Sequence, residues 1–248
     1  MGFRRVWRAT IFELRSLRLY WFPITTMTII VPFSYLLIVL LSTGFNAENL
    51  SIVLPGFVSV SVFLTLVLPM AQRISNMFED DVVELIASLP LGMGELIWAY
   101  IGAYTLLSAP AIIGSTTIIA LSIGKVDGVY LAVGLSMLWC LAIETGILLG
   151  LSIRNKLKLD PLLSLLLLAT IMLTPAFYST NSLENPFRAA ILANPLTHIV
   201  LLIRASIGIY EGVDPTTSLT YLGVAQATLA TVLLPKIRNI SLNIVEKR

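Results

Sequence analysis

Charge is what this chain has least of. Asp, Glu, Lys and Arg make up 12% of its 248 residues, about half the share in an ordinary soluble domain. Cysteine occurs once, at Cys140, and histidine once, at His198. A lone cysteine makes no internal disulfide, and one cysteine with one histidine gives no zinc-type ligand set, so no metal site is expected. The sequence contains no Gly-x-x-x-x-Gly-Lys-Ser/Thr, so it lacks the glycine-rich loop that cradles nucleotide phosphates. Net charge is only +2, which gives no support to nucleic-acid binding. In place of charge there is grease: 57% of the residues are apolar, and the mean hydropathy is +0.90. These figures exclude a disordered chain and a disulfide scaffold and point to one all-α domain in a lipid bilayer.

A spanning helix takes about 20 apolar residues. Six stretches qualify: 22–42, 49–72, 96–124, 128–153, 161–180 and 215–235, with Glu144 the single charge inside any of them. The stretch 181–210 is interrupted by Pro186 and Pro195 and carries Glu184, Arg188, His198 and Arg204. It reads as two short helices broken at Asn194-Pro195, external or re-entrant, because a proline disfavours helix in the residue before it. Residues 2–21 read as an interfacial helix, with Phe3, Val6, Trp7, Leu14, Leu17 and Trp21 on one side and Arg4, Arg8, Arg15 and Arg18 on another. No cleavable signal is expected there.

Basic residues in short loops set orientation. Thirteen of the Lys and Arg residues fall at the two ends of the chain and in the loops after the second and fourth spans, against three on the other side. Both termini are therefore expected in the cytoplasm, as an even number of spans also requires. The loop after the second span holds Glu79, Asp80, Asp81 and Glu84 within six positions. Four acids at the bilayer centre would cost on the order of 10 kcal/mol, so the segment 76–91 stays outside the hydrocarbon. Val82, Val83, Leu85, Ile86 and Leu89 nevertheless give it an apolar stripe, and Pro90 limits a short helix. Such a stripe suits a partner protein.

The run Glu79-Asp-Asp-Val-Val-Glu-Leu-Ile-Ala-Ser-Leu-Pro-Leu91 resembles the cytoplasmic loop of the type-2 export permeases of ATP-binding-cassette (ABC) transporters, and Asn194-Pro195-Leu196-Thr197-His198, with Arg204 further on, resembles that family's Asn-Pro-Leu-Thr-Tyr segment. The resemblance extends over nearly the whole chain. It implies a permease subunit that hydrolyses nothing itself, with ATP and Mg bound by a separate cytoplasmic ATPase subunit and a second permease chain, identical or different, completing the pathway in a plasma membrane. Residues 76–91 would then be the coupling helix, with Glu79, Asp80, Asp81, Glu84, Leu85, Ile86 and Leu89 as the contact set. Asn194, Pro195, His198 and Arg204 would mark the external helical pair.

Glu144 lies about 15 Å from the inner end of its span at 1.5 Å per residue. It lines a polar pathway, or it is a hydrogen-bonded carboxyl holding helices together through Thr145 or Tyr104. His198 reads as a polar contact in the helical pair, and Arg188 and Arg204 as ion-pair partners for Glu184 and Glu211. Gly146-x-x-x-Gly150 permits close helix approach and gives slight support to a dimer seam. Two rival functions stand beside the permease. One is a channel-like or assembly subunit with no ATPase, which leaves the acidic-apolar loop helix unexplained. The other is an intramembrane hydrolase, which lacks parts: Ser206 is about 12 Å from His198 along one helix, and Glu144 has no carboxylate mate.

Overall fold

The structure, a computed structural model, describes residues 3–17, scattered positions between 30 and 44, and residues 46–88, 91–123 and 126–245. All regular structure among the described residues is helical. The helices with defined bounds among the described residues are α1 (Phe3–Leu17), α2 (Ala47–Asn76), α3 (Asp80–Ser88), α4 (Met93–Ile123), α5 (Gly128–Ser152), α6 (Lys156–Leu173), α7 (Phe187–Leu192), α8 (Pro195–Ser206) and α9 (Pro215–Val245), with a 3-10 turn at Thr180–Ser182.

Asparagine and aspartate start four of these helices. The side chains of Asn46, Asp127, Asn155 and Asn194 accept backbone N–H bonds in the first turns of α2, α5, α6 and α8, supplying partners that a helix start cannot provide itself. Among the described residues, four helices are long and apolar enough to cross a membrane: residues 49–76, 94–114, 128–152 and 215–237. This is a membrane protein by that measure. Large apolar side chains face outward, among them Leu165, Leu168 and Met172 on α6 and Val224, Val232 and Leu234 on α9, a surface suited to lipid rather than water.

Of the six expected spans, 22–42 lies almost wholly outside the described residues. The expected span 161–180 requires correction. The helix there runs from Lys156 to Leu173, and Thr174 is extended. Pro175 follows it, and the residue before a proline is pushed out of helical geometry. At the other end Asn155 nucleates the helix before the charges of Lys156, Lys158 and Asp160, so α6 begins in a polar turn.

Helix α2 is the core. It packs against α4, α5, α6 and α8, while α1 rests on α4, and α9 on α5 and α8. The close fit of α2 to α5 depends on glycine. A Cβ on Gly150 would lie 2.7 Å from the Ile74 Cβ and 2.8 Å from the Ala71 carbonyl oxygen, and one on Gly146 would lie 3.0 Å from the Met70 Cβ. The glycine pair that lent support to a dimer seam is therefore occupied within the chain by α2. Gly56 plays the same part near the other end of α2, where a Cβ would collide with the Ala176 backbone.

Candidate functional site

One end of the bundle gathers the loops that carry basic residues. Ser75 Oγ donates to the Ile153 carbonyl at 2.6 Å, the Arg154 guanidinium lies 4.9 Å from the centre of the Phe78 ring, and Lys236 Nζ donates to Ser152 Oγ at 2.7 Å. The short helix α3 hangs at this end between α2 and α4. Its polarity is split. Glu79, Asp81 and Glu84 are exposed, whereas Phe78, Val82 and Ile86 pack against the main core, with Ile86 buried. Asp80 and Leu85 lie on the same helix, and Leu89 falls outside the described residues. Part of the apolar stripe expected to meet a partner is thus taken up by the protein's own bundle, and the outward groups are acids.

A second feature at this end was not legible as a site. Glu13, the one acid of α1, is almost fully buried. Its Oε2 accepts from Arg73 Nη2 at 2.7 Å, and Arg73 Nε approaches Oε1 at the same distance, off the N–H axis. Arg73 also sits 5.4 Å from the centre of the Tyr100 ring on α4. One turn earlier on α1, Thr10 packs onto Gly102, whose missing Cβ leaves room for it. Sequence did hold the signal: at 100° per residue Glu13 falls on the side of α1 occupied by Val6, Thr10 and Leu17, where an unpaired acid has no place.

Glu144 is half-buried on α5, and its Oε2 is enclosed without a hydrogen-bond partner among the described residues. It is bonded neither to Thr145 nor to Tyr104, so the helix-holding role expected as one alternative has no bond to carry it there.

The opposite end is tied by a buried charge cluster. Arg204 is wholly buried. Its Nη1 donates to Glu211 Oε1 at 2.9 Å, and its Nη2 donates to the carbonyls of Ile52, Pro175 and Tyr178 at 2.8, 2.6 and 3.1 Å. Glu211 Oε2 in turn accepts from the backbone N–H and hydroxyl of Thr180, both at 2.7 Å. A planar guanidinium with five donors suits this task, since the loop carbonyls of Pro175 and Tyr178 and the Ile52 carbonyl in the first turns of α2 are all reached at once. Arg188 reaches Asn181 Oδ1 and the Glu211 carbonyl, each at 3.4 Å.

Helices α7 and α8 meet at Asn194–Pro195. Besides capping α8, the Asn194 amide donates to the Leu173 carbonyl at 3.1 Å and to Thr174 Oγ1 at 3.2 Å, which fastens the helical pair to the end of α6. Pro195 takes the first position of α8, where its missing N–H costs nothing. Both His198 ring nitrogens are engaged: Nε2 donates to the Leu192 carbonyl at 2.9 Å, which leaves Nδ1 to accept from the Ser218 hydroxyl at 3.1 Å. Tyr221 stacks on the ring at 4.2 Å. Ser218 lies on α9 rather than α8, so spacing along one helix does not show it as the serine partner of His198. It is fully buried, so the pair has no solvent-facing side on which a substrate could sit. Among the described residues no group of three metal-ligating side chains comes together.

The chain matches no protein-family model, and no curated protein is similar to it by sequence. A functional reading therefore stands on the residues and their geometry.

Proposed function

We propose that this chain is the membrane-spanning permease subunit of an ABC exporter of the type-2 class, worked by a separate ATPase subunit that binds ATP and Mg. The observation that carries the reading is α3. It is a nine-residue helix that, with Phe78 and Glu79 just before it, is fixed to the bundle by Phe78, Val82 and Ile86 while Glu79, Asp81 and Glu84 face outward. Such a helix is a handle. Its inner side makes it move with α2 and α4, and its outer side offers acids to a cationic groove on a partner. The basic residues at the same end support placing it in the cytoplasm, with both chain termini.

In this reading the ATPase closes on ATP and displaces α3. The displacement passes into α2 and α4 as tilts of rigid helices, because close-packed interiors shift as units and do not deform continuously. Six spans per chain, with 22–42 and α6 as the first and fifth, and two chains in a plasma membrane, complete the pathway. Glu144 lines it from α5.

The test is charge reversal on the outer face of α3. Glu79→Lys, Asp81→Lys and Glu84→Lys together leave the fold intact, since exposed substitutions change stability by about 0.5 kcal/mol or less each. They abolish copurification of the ATPase subunit with the tagged chain from native membranes, and they abolish coupled ATP hydrolysis. Retention of both would refute the reading, as would transport by the purified chain with no nucleotide-hydrolysing companion.

A further inference from the structure

Between α1, α4 and α5 lies an open groove of about 340 Å³, within the size range of small-ligand sites. Phe3, Trp7, Trp98, Leu106 and Trp139 form its walls and Gly102 part of its floor. Three of the chain's four tryptophans thus meet in one place. From Trp98 to Leu106 the groove runs about 12 Å along α4 at 1.5 Å per residue.

We infer that this groove holds one acyl tail of an anionic phospholipid from the surrounding bilayer, with the headgroup phosphate on the arginines of α1. The walls leave little for a polar ligand to bond. Thr10 Oγ1 donates to the Val6 carbonyl at 3.0 Å, and Thr105 Oγ1 donates to the Ile101 carbonyl at 2.7 Å while it accepts from Trp139 Nε1 at 3.0 Å. The groove selects an apolar tail. The head is selected by charge. Helical spacing puts Arg4, Arg8 and Arg15 in one row beside Trp7, and all three are exposed. The acid that could have neutralised them from the same helix, Glu13, is turned inward and spent on Arg73. No acid lines the groove, and Glu95, three residues before Trp98 on α4, accepts from the Gly92 N–H. Exposed tryptophan side chains beside arginines are also the composition of a membrane interface, where a lipid has its tail and head on opposite sides of the boundary. The inference needs only that the chain sits in a membrane, so it is independent of the transport reading.

The probe is the full chain in nanodiscs of equal parts phosphatidylglycerol and phosphatidylcholine, with retained lipid counted by native mass spectrometry. Wild type retains phosphatidylglycerol over phosphatidylcholine by on the order of tenfold, the size expected for two arginines at an anionic surface. Val6→Phe, which fills the groove from α1, removes retention of both lipids. Arg4→Gln with Arg8→Gln keeps retention and removes the preference. Bromine on the tail of phosphatidylglycerol quenches tryptophan fluorescence more strongly in wild type than in Val6→Phe, while circular dichroism of the two is the same. Equal retention of the two lipids by wild type overturns the inference, and so does undiminished retention or quenching in Val6→Phe.

Discussion

Glu13 and Arg73 are sixty positions apart in the chain and meet at 2.7 Å. The contact fastens α1 to the last turn of α2, three residues before the chain leaves that helix for α3. Glu13 is enclosed, with 4% of its side chain exposed, but Arg73 keeps 34%, so water screens part of the attraction. Glu13→Gln is expected to cost about 1–2 kcal/mol, less than a fully buried pair would. Arg73→Gln alone leaves the carboxylate enclosed without its cation and costs at least as much. The double variant recovers part of the loss, and a thermal-melt cycle in nanodiscs reads the coupling. Trypsin cleavage at Arg8 and Arg15 rises in both single variants as α1 loosens. Additive single effects would mean that the pair is not what holds α1.

Arg204 gives a larger and less forgiving prediction. Four oxygens from three segments converge on its guanidinium, one of them the Glu211 carboxylate. Arg204→Met strands a buried charge and three carbonyls, and about 3–5 kcal/mol is lost. Arg204→Lys keeps the charge but not the fork, and it rescues little, because one ammonium cannot reach acceptors spread across a planar array. Melting temperature and the yield of monodisperse protein check both variants. A lysine variant as stable as wild type would show that charge alone suffices.

Some of this was legible in the sequence and some was not, for physical reasons. The long apolar runs around α2, α4 and α5 announced their helices, since insertion in lipid depends on composition over a whole window and tolerates a single charge such as Glu144. The break at Asn194-Pro195 was legible because proline acts on its immediate neighbour. The early end of α6 follows the same rule at Thr174-Pro175, and it was missed because a charge count does not register a proline. The partnerships were the least legible part. Glu13 with Arg73, Arg204 with Ile52 and His198 with Ser218 depend on which helix lies beside which. A periodic pattern states that a face is buried but does not name its neighbour. Glu13 shows the middle case: the wheel marks it as misplaced, and only packing supplies its cation.

The glycines of α5 separate a packing role from an assembly role. A methyl group on Gly150 meets the Ile74 Cβ at 2.7 Å and a backbone oxygen at 2.8 Å, and backbone cannot swing aside as a side chain does. Gly150→Ala is expected to destabilise the single chain by about 1–3 kcal/mol through forced separation of α2 and α5. Gly134→Ala meets the Ile203 Cγ1 at 3.1 Å and no backbone atom nearer than 3.8 Å, a milder conflict, and costs less. Melting curves order the two variants, and light scattering shows the same oligomeric state for both. A Gly150→Ala chain with normal stability and altered assembly would return the glycine pair to an intermolecular seam.

His198 makes the helical pair sensitive to acid. Its enclosure between α7, α8 and α9 holds its pKa below the ordinary 6.5, and the Leu192 carbonyl on Nε2 opposes that only in part. The folded chain therefore prefers the neutral ring. An unfolded His198 takes up its proton as the pH drops past 6.5, and the folded one resists until the pH is lower still. The unfolded state then binds more protons, so the stability contributed by His198 is complete above 6.5 and is lost as the pH falls towards the folded value. Protonation would also turn Nδ1 from an acceptor into a donor facing the Ser218 hydroxyl, which must then rotate. Thermal melts from about pH 8 to about pH 5 are expected to decline below about 6.5 in wild type. In His198→Gln the amide can still donate to the Leu192 carbonyl, so the neutral-pH loss stays near 1 kcal/mol, and the decline that begins at 6.5 becomes shallower. Equal slopes in the two chains would place the acid sensitivity in other groups.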